Sequence, residues 1–129
     1  MNLEEIRKIL EAEWWGREPA GDDAGRDVRS CHASDLMSDV LTLSGVGSLL
    51  LTGLANVQVI RVAEISDFAA VCFVRGKKPQ AEAVQLAEER EIPMLVTSLP
   101  MFEACGRLYA QGLRGGDRAK EGLNCPRQR

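Results

Sequence analysis

Short apolar runs alternate along this chain with segments whose apolar residues recur every three or four positions. SLLLT (48–52), AVCFV (70–74) and MLVT (94–97) are apolar runs of strand length, and VRSC (28–31) is shorter but β-prone. The starts of these four lie 20 to 24 residues apart. Each interval holds a strand, a loop and a helix of about three turns. The intervening segments have helical spacing. Leu36, Met37, Val40 and Leu41 share one face, as do Val59, Ile60 and Ala63, then Ala83, Val84 and Ala87. Met101, Phe102, Cys105, Leu108 and Tyr109 follow the same rule. Ahead of them, Leu3, Ile6, Ile9 and Leu10 predict a first helix, EAEWW an edge strand and GREPAGDDAGRD a polar loop.

Apolar strands alternating with amphipathic helices predict an α/β fold: a small three-layer domain with a mostly parallel sheet of four to five strands flanked by helices. Right-handed crossovers are expected between them. Gly45 and Gly47 suit a helix stop and a tight turn into the next strand. A leucine-rich repeat has a similar period, but the units after LLLTGLAN carry no Asn ladder. The domain is expected to span residues 1–112. Residues 113–129, including RGGDRAKEGLNCPRQR, offer no apolar face and read as a basic, disordered tail with an exposed thiol at Cys125.

At 129 residues the chain suits one core. The net charge of −3 divides unevenly, because residues 113–129 carry five Lys or Arg against two Asp or Glu. The body is therefore acidic, which disfavours nucleic acid as a partner. MNLEEIRKIL lacks the pattern of a signal peptide, and no apolar run is long enough to span a bilayer. The cysteines are scattered without a C-x-x-C pair and read as reduced thiols, so the expected compartment is the cytoplasm.

In open parallel sheets, ligands bind beyond the carboxyl ends of the strands. Here those ends run into His32, Ser34 and Asp35, into Thr52, Gly53 and Asn56, into Arg75 and Lys77, and into Thr97 and Ser98. These ten residues are the candidate ligand-binding set. Capping is the competing use for Ser34 or Asp35, Asn56 and Ser98, each placed before a helix. RGKKP offers three cations before Pro79, which suits the first turn of a helix and an anion. A solvated basic turn is the plain alternative. Asp35 and Asp39 share a helical spacing, and His32 is the lone histidine. Without further ligands at familiar spacing, no metal site is expected. HASDL is not a nucleophile elbow, and no P-loop or dinucleotide fingerprint is present, so no catalytic residues and no cofactor are assigned.

HASDLMSDVL, LLLTGLANVQVIRVAEISDFAAVCFVRGKKP and IPMLVTSLPMFEACGRLY, in that order, resemble the DRTGG-domain family over residues 1–112. The contiguous Asp-Arg-Thr-Gly-Gly string is absent. The family resembles the non-catalytic N-terminal domain of HPr kinase/phosphorylase. Its other members sit beside CBS domains or within phosphotransacetylase-like enzymes, and stand-alone versions occur near iron-hydrogenase genes. By motif position Ser34, Asp35, Ser38 and Asp39 match its S-D-L-x-S-D signature, and Thr52, Gly53 and Asn56 its strand-end loop. The resemblance implies a regulatory module, often dimeric.

The sequence therefore points to a non-enzymatic cytoplasmic regulatory domain that senses a small anionic metabolite, with nucleotides among the candidates. The alternative is a homodimeric interaction module without a small-molecule ligand, associated with a larger metabolic or redox enzyme. An enzyme using His32 with Asp35 or Asp39 is the third reading.

Overall fold

The computed structural model of the chain describes residues 1–19 and 21–116. Helix α1 (Leu3–Leu10) opens with a capping box. The Asn2 side chain accepts from the Glu5 N–H, and Glu5 accepts from the Asn2 N–H in return. Leu3, Ile6 and Leu10 fill its buried stripe. Strand β1 (Glu13–Trp15) follows as the expected edge strand, antiparallel to its neighbour.

From there the chain alternates as its pattern requires: β2 (Ser30–Ala33), α2 (Met37–Val40), β3 (Ser48–Thr52), α3 (Val57–Ile65), β4 (Ala70–Phe73), α4 (Ala81–Glu89), β5 (Met94–Val96), α5 (Met101–Ala110) and β6 (Arg114–Gly115). The sheet order is β1-β5-β4-β3-β2-β6, and every pairing except β1 with β5 is parallel. Strands β3, β4 and β5 are buried along their whole length. This is why they read as unbroken apolar runs rather than alternating ones.

Two apolar layers cover the sheet. Helices α1 and α5 pack on one face, where Leu3, Ile6, Leu10, Ala104 and Leu108 meet Leu49, Leu51, Cys72 and Leu95. Helices α2, α3 and α4 pack on the other through Met37, Val40, Val59, Ile60, Ala83 and Ala87, against Leu50, Val71, Phe73 and Met94. Helix α4 thus leaves the end of β4 to one face, while α5 leaves the end of β5 to the other. The boundary between β4 and β5 is a topological switch point at the carboxyl edge.

Three details differ from the sequence reading. The strand expected at VRSC is shifted two residues later, so His32 lies inside β2 rather than beyond its end. The helix expected from HASDLMSDVL shrinks to Met37–Val40, with Leu36 at its N-cap and no side-chain cap. The sheet also gains a sixth strand, because Arg114 and Gly115 pair with Ser30 and Cys31, and Leu113 is buried in the core. The fold therefore includes residues beyond 112, through Leu113, Arg114 and Gly115. The remainder of the basic segment, with Cys125, lies outside the described residues.

Candidate functional site

The carboxyl ends of β2, β3, β4 and β5 lie side by side, and their polar groups divide into two classes. The first class is spent on the fold. Asp35 does not cap α2: its Oδ1 accepts from the Gly53 N–H at 2.6 Å and from the Thr52 hydroxyl at 3.1 Å, tying the end of β2 to the end of β3. Thr52 Oγ1 in turn accepts from the Leu54 N–H at 3.2 Å. Ser34 Oγ accepts from the Leu36 N–H at 3.0 Å, a local turn that competes with helix initiation. Asn56 caps α3 as expected, accepting from the Gln58 N–H at 3.1 Å. At the end of β5 the buried Thr97 hydroxyl donates to the Leu10 carbonyl at 2.7 Å and accepts from the Leu99 N–H at 3.2 Å.

The second class is cationic and unspent. After β4, the Lys77 N–H donates to the Val74 carbonyl at 3.1 Å, closing a turn on Arg75 and Gly76. Both central residues have positive φ, 59° and 68°, as a type I′ turn requires. Glu11, Asp67 and Glu91 also have positive φ, but each follows a helix, where a left-handed cap is common. Arg75 alone of these four follows a strand. The turn is fastened to its surroundings by its backbone. The Arg75 N–H donates to the Leu99 carbonyl at 2.9 Å, and the Gly76 N–H donates to the Thr97 carbonyl at 2.8 Å. The Gln80 N–H reaches the Ala55 carbonyl at 2.8 Å.

The Arg75 guanidinium lies over Gly53, where an added Cβ would come within 2.6 Å of Nη2. Gly53 is therefore needed for close approach. Among the described residues no carboxylate lies within ion-pair distance of Arg75 or Lys77. Both residues are exposed, as is Ser98. Ser98 is not the cap of α5, whose N-cap is Pro100 without a side-chain bond. Pro79 also sits ahead of its helix, two residues before Ala81, rather than in the first turn. Lys78 places its Nζ 5.5 Å from the centroid of the Trp15 ring. Trp15 is absent from the candidate set read from the sequence. A tryptophan on an edge strand gives no sign of its neighbours until the sheet order is known.

His32 belongs to neither class. Its ring faces the α2/α3 layer, edge-on to Phe68 at 5.7 Å, and it is only 9% exposed. Its Nε2 has no hydrogen-bond partner among the described residues. Gly116 crosses above it so closely that a Cβ there would overlap Nε2. The structure thus separates His32 from the strand-end groups it was expected to join. Asp39 is exposed on α2, apart from Asp35, and no group of three or more His, Cys, Asp or Glu among the described residues could hold a metal ion.

The strand-end groups line neither of two surface cavities. One, of about 180 Å³, is lined by residues including Arg17, Pro19, Glu88, Ile92 and Met94. The other, of about 100 Å³, lies between α5, β2 and β6 and is lined by residues including Cys31, Cys105, Tyr109 and Arg114. Burial pushes the thiol of Cys31 far up and that of Cys72 up to about 12, so both stay protonated and unreactive at neutral pH.

No protein-family model matches the chain. No curated relative matches it. Among solved structures it is similar to the CBS and DRTGG domains of the regulatory region of a Clostridium perfringens pyrophosphatase, a crystal structure complexed with the activator diadenosine tetraphosphate. The TM-score is 0.57 at 18% identity, over 87% of this chain and 47% of that one. The chain thus spans about half the length of that relative, and the likeness is one of fold. It agrees with the DRTGG resemblance carried by the sequence motifs. No helix among the described residues is long and apolar enough to cross a membrane.

Proposed function

We propose that this chain is a non-enzymatic regulatory domain that senses a small anionic ligand at the carboxyl ends of β3, β4 and β5. The observation that carries the reading is Arg75. A bulky residue is held in a left-handed turn, costing about 1–2 kcal/mol relative to the usual conformation, with its guanidinium above a glycine and without an ion-pair partner among the described residues. Local strain of this kind clusters at binding sites, where pre-organisation offsets it. Lys77 adds a second charge without an ion-pair partner among the described residues, and Ser98 supplies an exposed hydroxyl. Thr52, Asp35, Asn56 and Thr97 hold the frame rather than the ligand. His32 takes no part in this reading, being buried away from the edge.

The structural relative was solved with a dinucleoside polyphosphate, which supports a polyphosphate or nucleotide as the ligand class here. We take the working compartment to be the cytoplasm, where the thiols of Cys31, Cys72 and Cys105 remain reduced, and the regulated partner to be a larger enzyme. The test is a thermal-shift series with tripolyphosphate, ATP and diadenosine tetraphosphate. A ligand at about 100 times its Kd adds about 2.7 kcal/mol if it binds only the native state. That shift should vanish in an Arg75→Ala, Lys77→Ala double variant. A shift of the same size in the double variant would remove the proposed site.

A second reading, a homodimeric interaction module, has its own observation. Phe102 and Tyr109 are 87% and 61% exposed and lie seven residues apart on one face of α5. Sedimentation of wild type against Phe102→Ser, Tyr109→Ser tests it. A concentration-dependent dimer lost in the variant would favour this reading, and a monomer in both would end it.

A further inference from the structure

We propose that Trp15 is a stacking platform for the base of a nucleoside polyphosphate whose phosphates lie on Arg75, Lys77 and Lys78. This inference rests on the anion-site reading above and extends it to a second chemical group on the same ligand.

The connection is the turn after β4. Its first residue, Arg75, reaches over Gly53 at the end of β3. Lys78, three residues on, places its ammonium over the Trp15 indole on the other side of β5. One short cationic turn therefore runs from the middle of the sheet to an aromatic ring at its edge. Lys78 is exposed and Trp15 is partly exposed, so the side chain over the indole is a flexible, hydrated one. A flat, polarisable ring can take that place, leaving the ammonium free to meet a phosphate.

The platform is held in position. Trp15 ends β1, and its side chain packs against the apolar layer on the α2–α4 face of the sheet. Gly16, which follows it at φ +71°, sits so near β5 and α4 that an added Cβ would meet Met94 Cε at 2.9 Å and Glu88 Oε2 at 3.2 Å. The chain at Trp15 is held by its pairing with Met94 of β5 and passes close to α4. Charge fixes the polarity of the ligand. At the Gly16 end the Glu88 carboxylate and Arg17 carry opposite charges and line one cavity, whereas Arg75, Lys77 and Lys78 leave the other end cationic. Phosphates are drawn to the cationic end, with the base left over the indole. A simple anion such as phosphate would use only half of this surface.

The experiment is a calorimetric titration of the full chain with ATP and with tripolyphosphate, in wild type and in Trp15→Leu. Leucine keeps an apolar contact with the α4 flank and removes the ring face. The expected result is about tenfold tighter binding of ATP than of tripolyphosphate in wild type, and equal binding in Trp15→Leu with tripolyphosphate unchanged. In a Trp14→Phe background Trp15 is the single tryptophan, and ATP but not tripolyphosphate should quench its fluorescence. Equal affinity for the two probes in wild type, or an ATP preference that survives Trp15→Leu, would overturn the platform and leave the anion site standing. Binding of neither probe would remove the anion site and the platform with it.

Discussion

The two ends of the carboxyl edge differ in what their polar groups do. At the β2–β3 end, Asp35 and Thr52 bond to each other and to the backbone around Gly53, so their capacity is largely consumed within the fold. At the β4–β5 end, the backbone of the turn is consumed in the same way, but the Arg75 and Lys77 side chains are left over. Both ends present polar residues beyond apolar strands, and residue type alone does not distinguish them. What does is the hydrogen-bond account. A polar group that already satisfies a buried N–H or carbonyl is costly to divert to a ligand, whereas an unpaired guanidinium is not.

If that division is right, substitutions at the consumed positions should cost stability and spare binding. The largest effect is expected at Thr97. Thr97→Val strands the Leu10 carbonyl and the Leu99 N–H at once, and should lower unfolding free energy by about 2 kcal/mol, measured by urea denaturation, with tripolyphosphate affinity unchanged. Asp35→Ala should cost about 1 kcal/mol, less because the carboxylate is on an exposed residue and water replaces part of the bond. A large loss of tripolyphosphate binding in either variant would break the comparison.

At the unspent end the signs reverse. Gly53→Ala pushes against the far end of the Arg75 side chain, which can swing away. Stability should change by less than about 1 kcal/mol, while tripolyphosphate affinity falls about tenfold. Arg75→Gly relieves the left-handed cost of about 1–2 kcal/mol, against roughly 0.5–1 for the freer unfolded chain. The net expectation is a gain of about 0.5 kcal/mol with binding lost.

The smallest effect concerns α1, remote from both ends. The hydrogen bond from Arg7 holds the Glu4 carboxyl below its ordinary range. Because the folded value is the lower one, this contribution is complete above the unfolded value and is lost as pH falls through the folded one. Glu4→Gln should therefore flatten the acid limb of the melting temperature against pH and leave binding at neutral pH untouched.

How far the fold could be read in advance follows from which interactions are local. The unbroken apolar runs of β3, β4 and β5 and the three-to-four spacing of α1, α3, α4 and α5 carry their own signal. So does Asn56, whose cap is a bond to the residue two positions on. Asp35 is the counterexample. Its sequence neighbours promise a capped helix, but its partner is Gly53, eighteen residues away, and that long-range bond helps leave α2 a single turn. Strand β6 is two residues long and exists only because β2 offers an open edge. Gly116 and His32 meet for the same reason. Within the candidate site, Arg75 and Lys77 were legible as cations after a strand. Their being unpaired, and the nearness of Trp15 to Lys78, depend on which strands are neighbours in the sheet.

The central claim is that the strained, unpaired Arg75 is kept for a ligand rather than for the fold. It is tested most directly by titrating tripolyphosphate into wild type and Arg75→Gly while following the unfolding midpoint of each. The account predicts that the glycine variant is at least as stable as wild type and binds at least tenfold more weakly. A variant that loses stability and binds tripolyphosphate as wild type does would show that Arg75 serves the fold, and would contradict the account.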